Sequence, residues 1–248
     1  MKSWLGLIIV GLSTPAISQT IGTLPGELSI DKGVAYYQIP LTFPSGKGGA
    51  TPNLAISYSS SGSTVSSLGS GFTLNGLSSI KRCGDHQAIE GVTSSVTYSL
   101  TDNFCLNGTR LIGKEGVVGK DGSEYRLHID DQSKITLNGD SNTKTSYFVK
   151  RDKSGAVEEY RYHNISKSWL LSSYQIHPKA KGISYNYDDL GLLSSISYDS
   201  FKINFIYSVV NNSIPTKHFK VDGNIYKSNF NLIRIETCLL YTSDAADE

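Results

Sequence analysis

Charge is scarce and nearly balanced in this 248-residue chain. Only 18% of its residues are charged, and the formal net charge is +1. Nothing in that balance draws the chain toward nucleic acid or an anionic membrane. Methionine occurs once, tryptophan twice and cysteine three times. Long apolar runs are lacking too: beyond the first residues, no segment is long and apolar enough for a membrane-spanning helix. Between residues 20 and 237 no stretch sustains the periodicity and caps of an amphipathic helix. What is plentiful points the other way. Fifteen tyrosines, 24 glycines and abundant serine are strand formers cut by turn formers. The expected fold is all-β, with short antiparallel strands and hairpins in stacked or curved sheets. The length suffices for one large or two small domains.

Signatures of catalysis are also missing. The stretch FPSGKGGATPNLAIS (43–57) has the glycines and lysine of a phosphate cradle. A Walker loop, however, needs a glycine five positions before Gly46, where Leu41 stands, and a hydroxyl residue after Lys47, where Gly48 stands. Pro52 and a strand pattern follow, so no helix N-terminus can aim amides at a phosphate. The glycines read instead as a chain reversal between two strands. The histidines (86, 128, 163, 177 and 218) do not pair at the spacing of a helical zinc site, and no G-x-S-x-G elbow is present. Asp130–Asp131 and Asp188–Asp189 read as solvated turn acids, since adjacent strand residues face opposite sides. No enzyme activity, cofactor or metal is expected.

The first residues, MKSWLGLIIVGLSTPAIS, have a short positive start, an apolar run too short to span a bilayer, and small residues before position 19. They read as a secretory leader cleaved after Ser18, which implies a secreted or cell-surface protein in transit through the periplasm. Export makes the odd cysteine count meaningful. Cys83 and Cys105 have two readings, a disulfide in an oxidising compartment or two free thiols. Cys238 opens CLLYTSDAADE (238–248), which is identified as the translation of a transposase adapter used to prepare sequencing libraries. On that reading the chain is the N-terminal part of a longer protein, and the segment is excluded from fold reasoning.

Strands are expected at 33–39, 54–58, 72–74, 79–82, 92–100, 104–106, 110–112, 125–129, 134–137 and 146–150. Gly, Asn or Asp fills most gaps between them. A weak internal repeat follows. Tyr185, Tyr187, Asp188, Gly191 and Leu193 make a strand–turn–strand frame, and Asp152, Gly155 and Val157 repeat its spacing. Such hairpins must stack to bury a face. Alternating tyrosines could bind sugars or protein, but packing across strands is the favoured reading.

These segments resemble a known family. GVAYYQIPL (33–41), PSGKGG (44–49), PNLAISYSS (52–60), LGSGF (68–72) and LSSIKRC (77–83) are similar to the plasmid-virulence-B-type N-terminal domain. That domain heads the B components of insecticidal toxin complexes and many Rhs/YD-repeat proteins. The residues carrying the likeness are Gly33, Tyr37, Pro40, Pro44, Gly46, Gly49, Pro52, Leu54, Tyr58, Gly69, Gly71 and Phe72. FCLNGTRL (104–111), YRLHID (125–130) and YFVK (147–150) continue it, and residues 185–196 resemble a YD repeat. Three positions depart from the pattern: Phe72 for tryptophan, Asn107 for aspartate and Leu192 for arginine.

The resemblance implies a β-rich, non-enzymatic region at the start of an Rhs/YD-type shell, a scaffold that carries or delivers a C-terminal effector. Its implied partners are the remainder of the same polypeptide and toxin-complex subunits, with no nucleic acid and no membrane anchor. The alternative is a surface adhesion or recognition module for glycan or protein. The expected divisions are a leader (1–18), a virulence-B-type β domain (19–112), a hairpin region with degenerate YD-like repeats (113–237) and the adapter-derived end (238–248).

Overall fold

The computed structural model describes residues 25–62, 65–177, 181–209, 217–221 and 224–240. The expected leader lies outside them. The chain opens with β1 (Glu27–Asp31), β2 (Val34–Leu41) and β3 (Leu54–Ser59). A small hairpin of β4 (Val65–Ser66) and β5 (Gly69–Ser70) leads into β6 (Phe72–Asn75). Strands β1, β2, β3 and β6 form a four-stranded antiparallel sheet in that order.

Eight further strands close into a barrel: β7 (Ser79–Cys83), β8 (Asn103–Leu106), β9 (Thr109–Glu115), β10 (Glu124–Leu127), β11 (Lys134–Asn138), β12 (Tyr147–Arg151), β13 (Val157–His163) and β14 (Ser168–Gln175). Each pairs antiparallel with the next, and β14 returns to β7 through Trp169↔Ile80 and Leu170↔Ser79. Strand β9 runs through position 112. Eight strands leave an interior just wide enough for side chains to fill, and the inward positions supply them. Ile80, Phe104, Ile135, Leu137, Phe148, Tyr160 and Trp169 are fully buried. Phe104, Phe148 and Trp169 meet edge to face at centroid distances of 5.0–5.4 Å.

Polar groups plug both ends. At one, Arg82 lies over the rings of Phe104 and Trp169, donates to the carbonyls of Ser99 and Ser141, and faces Asp102 at 3.6 Å. Burial lowers the Arg82 pKa, and Asp102 opposes that shift. At the other end, Lys150 faces Glu158 and Asp131, while the Tyr160 hydroxyl bonds Glu158 and Ser78.

Strand β14 also leaves the barrel. Its first half pairs with β7, and its second half pairs with β15 (Ile183–Tyr187) through Ser173↔Ser184 and Tyr174↔Ile183. Between the halves, Ser172 is the extra residue of a β-bulge against β13, and its hydroxyl donates to the Glu159 carbonyl. Such a bulge bends the strand. An open sheet then continues through β16 (Leu193–Tyr198), β17 (Phe201–Val209) and, after the hairpin of β18 (Lys217–Val221) and β19 (Asn224–Ser228), β20 (Phe230–Leu239). The β20 ladder runs through Cys238 and Leu239, which pair with Lys202 and Phe201. Backbone hydrogen bonds do not depend on side-chain identity, so the ladder passes position 237 unbroken.

Two expectations need correction. Residues 92–100 alternate like a strand but are irregular. The buried carboxylate of Asp102 takes the Thr97 N–H (3.0 Å), the Thr97 hydroxyl (2.7 Å) and the Ser99 N–H (3.2 Å), which competes with any ladder. A single helical turn, α1 (Gln87–Glu90), stands where no helix was expected. It is capped by the His86 ring and ended by Gly91 in the left-handed region.

Candidate functional site

Within the segment 43–57, the turn from Pro44 to Ala50 is a docking loop. Pro44, the first residue of its turn, presents a carbonyl that accepts the Tyr198 hydroxyl at 2.9 Å. The Lys47 N–H donates to Asp199 Oδ2 at 3.3 Å. The Lys47 side chain is exposed and takes no part. Gly46 is buried, and a Cβ on it would lie 2.3 Å from the Ala50 carbonyl oxygen, so the chain can fold back only without a side chain there. Beyond the loop, Pro52 and Leu54 are buried. Leu41, Phe43, Leu54 and Leu74 join the same core as Ile196 and Tyr198. The motif that looked like a phosphate cradle therefore fastens the four-stranded sheet to the open sheet.

The other motif residues serve this first sheet. Gly33 makes the β1–β2 turn, and Gly49 ends the reversal begun at Pro44. Pro40 pairs with Ala55, past the last β1–β2 pair (Glu27↔Gln38), where β2 has no neighbour to receive an N–H. Tyr37, Tyr58 and Phe72 form one cross-strand row, with Tyr58 and Phe72 rings 4.8 Å apart. Gly69 and Gly71 flank the step from β5 into β6.

Cys83 and Cys105 are joined by a disulfide, lying diagonally across β7 and β8 on the outside of the barrel. Arg110 is buried beside it. Its guanidinium donates to Cys83 Sγ (3.0 Å), the Gly84 carbonyl (3.1 Å) and the Glu90 carboxylate. The Asn107–Gly108 turn of β8–β9 has positive φ at both residues, as a tight hairpin requires. Asn107 accepts the Ser79 N–H and donates to Ser78 Oγ, both at 2.9 Å. An aspartate could keep the second contact only by accepting from the Ser78 hydroxyl.

The repeat frame proves to be one turn built twice. At 188–192 the Asp188 carboxylate accepts the N–H groups of Leu190 (3.0 Å) and Leu192 (2.8 Å), and Gly191 has φ +80°. At 152–156 the Asp152 carboxylate accepts those of Ser154 (2.9 Å) and Ala156 (2.8 Å), and Gly155 has φ +89°. The first turn joins β15 to β16 in the open sheet, the second β12 to β13 in the barrel. Donation from the Ser154 hydroxyl and from these backbone amides lowers the Asp152 pKa. Tyr185 and Tyr187 lie on β15, and Leu193 begins β16 opposite Tyr187. Burial pushes the Tyr185 hydroxyl up to about 12 and Tyr187 further still. These tyrosines pack; Tyr36 is the one most open to solvent among the large hydrophobics of the described tyrosines, at 42% exposure.

Tyr36 stands on the outer face of the first sheet. There β1, β2, β3 and β6 shape an open groove of about 570 Å³. No linear motif marks it, because its residues come in twos and threes from four strands, with Gly62 and Gly71 beside them.

No family model and no curated protein sequence matches this chain. Solved structures do match in fold. The chain superposes on one in a structure of the Photorhabdus luminescens Tc holotoxin pore with TM-score 0.68 and 18% identity, covering 96% of this chain and 14% of that one. It superposes on the N-terminal domain of effector protein SpvB from Salmonella typhimurium strain LT2 with TM-score 0.62 and 15% identity, covering 84% of this chain and 89% of that one. The fold is thus that of the N-terminal domain which the sequence motifs resemble. The chain spans about one seventh of the toxin chain's length.

Proposed function

We propose that this chain is the non-catalytic N-terminal scaffold of an exported, Rhs/YD-type toxin-like protein, in which it begins a β-shell that carries a C-terminal effector. The observation that carries this reading is the fold shared with about one seventh of a chain in the Tc holotoxin pore structure. The architecture is suited to the role. A closed, side-chain-filled barrel forms a rigid start, and an open sheet grows from it through a D-x-x-G hairpin to the outermost strand β20. Nine of the ten residues of β20 pair with β17 on one side, and on the other the Leu232 N–H donates to the Ser67 carbonyl. An outermost strand that is otherwise open along its flank is a template for further strands and, without them, an aggregation risk. Partners on this reading are the downstream part of the same polypeptide and other toxin-complex subunits, encountered outside the cytoplasm after export.

Recovery of the full reading frame tests the proposal. The frame should continue with further YD-like hairpins. The complete protein should hold a C-terminal segment that resists protease until the shell is denatured. A frame ending just past Thr237 would overturn it.

A further inference from the structure

The outer face of the four-stranded sheet is built unlike the rest of the molecule. Alternation along the strands sends Ile39, Ile56 and Leu74 to one side, toward the core, and Gln38, Ser57 and Thr73 to the other. The second set lies in register across β2, β3 and β6, with Asn75 one step further along β6 and Glu27 at the β1 edge. Together they line the groove of about 570 Å³, a volume in the range of small-ligand sites.

The chemistry of the lining is selective. Among the described residues, no lysine, arginine or histidine contributes to it, and Glu27 is its one carboxylate. Phosphates, nucleic acids and acidic sugars thus find no countercharge, and Glu27 repels them. A lone carboxylate is also a poor cage for a hard cation. What remains is hydroxyls, primary amides, the exposed Leu28 side chain and three tyrosines, of which Tyr37 and Tyr58 are half-buried and Tyr36 is exposed. The polar groups are partly fixed before any ligand arrives. Asn75 Nδ2 donates to Ser57 Oγ at 2.6 Å, and Thr73 Oγ1 donates to Asn75 Oδ1 at 3.1 Å. Those two bonds use one Asn75 amide proton and the Thr73 proton, so the second amide proton and the Thr73 lone pairs remain to serve a ligand. Groups held in place this way lose less freedom on binding.

We infer that this groove binds a neutral oligosaccharide, with a sugar ring stacked on Tyr36 and sugar hydroxyls bridged by Gln38, Thr73 and Asn75. Tyrosine offers an apolar ring face with a wet hydroxyl tip, which suits a ligand whose ring has an apolar face and a polar rim. The amide side chains each supply a donor and an acceptor, the pairing that vicinal hydroxyls need. This inference goes beyond the scaffold reading and does not depend on it.

The test uses the 248-residue chain in titration calorimetry and saturation-transfer NMR. The probes are maltohexaose, cellohexaose and chitohexaose, followed by an array of neutral and sialylated glycans. At least one neutral oligosaccharide should bind. Tyr36→Ala and Asn75→Ala should each weaken binding about fivefold to tenfold, with the circular dichroism spectrum and melting temperature unchanged. Tyr36→Phe should retain most of the affinity. Absence of binding to every neutral glycan overturns the inference. So does binding that both alanine variants leave intact, binding restricted to sialylated glycans, or capture of peptides alone.

Discussion

The Tyr198 hydroxyl donates to the Pro44 carbonyl at 2.9 Å, across 154 positions of sequence. Beside it, Asp199 receives the Lys47 N–H. These two bonds pin the first sheet onto the open one, and they use Lys47 only through its backbone. Tyr198→Phe should therefore cost about 1 kcal/mol, since it removes a hydrogen bond at a part-buried seam. Lys47→Ala should stay within about 0.5 kcal/mol, as surface substitutions do. Urea unfolding of the two variants checks the contrast, and equal losses would mean that the lysine side chain matters.

The Cys83–Cys105 bridge closes a separation of 22 residues. Loop-closure entropy for that length corresponds to about 3 kcal/mol. The Cys83→Ser/Cys105→Ser pair should lose stability of that order. Protein made with export and denatured without reductant should show a single reactive thiol, Cys238, the free cysteine of the chain. Titration of three thiols would contradict the bridge.

The two equivalent turns allow an internal comparison. Both Gly155 and Gly191 have positive φ, so alanine at either is strained by about 1 kcal/mol. A Cβ at Gly155 meets nothing within 4 Å, whereas at Gly191 it comes 3.3 Å from the His163 ring. Gly191→Ala should thus be the more destabilising of the two. Thermal melts of both variants decide it, and the reverse order would refute the crowding argument.

High pH should unfold the chain. Burial raises the hydroxyls of Tyr185 and Tyr207 to about 12. In the unfolded chain they ionise near pH 10. Their contribution to stability is complete below about pH 10 and is lost as the pH rises toward 12, where the unfolded state gives up protons that the fold retains. Far-ultraviolet dichroism and tyrosinate absorbance, followed against pH, should change together in that window. Ionisation of all tyrosines near pH 10 without unfolding would show that these rings are not buried.

Much of this architecture was legible strand by strand. The alternation at 54–58 becomes β3, and the Asp-to-Gly spacing at 152–155 and 188–191 becomes a pair of matched turns. Physical information was missing where distance along the chain is long. Closure of the barrel needs Trp169 to meet Ile80, and no local pattern states that. Residues 92–100 misled because serine and threonine fit a strand and also serve a carboxylate, and Asp102 decided between them from outside the window. The groove around Tyr36 draws on β2, β3 and β6, which the sequence marks as strands, and on β1, which it does not, and only their register assembles it. Whether Cys83 and Cys105 pair depends on both facing outward on neighbouring strands, which spacing alone leaves open.

Strand β14 is a stave shared by two walls. Its first half holds the barrel shut against β7, and its second half is the root of the open sheet. A load applied along β15 is transmitted to the bulge at Ser172, three positions along the same strand from the seam that Trp169 and Ile80 close. The sheet cannot be peeled away without straining that seam. The barrel is therefore a mooring post: the open sheet is rooted in it through one bent strand, and the bonds from Tyr198 to Pro44 and from Lys47 to Asp199 are a second fastening.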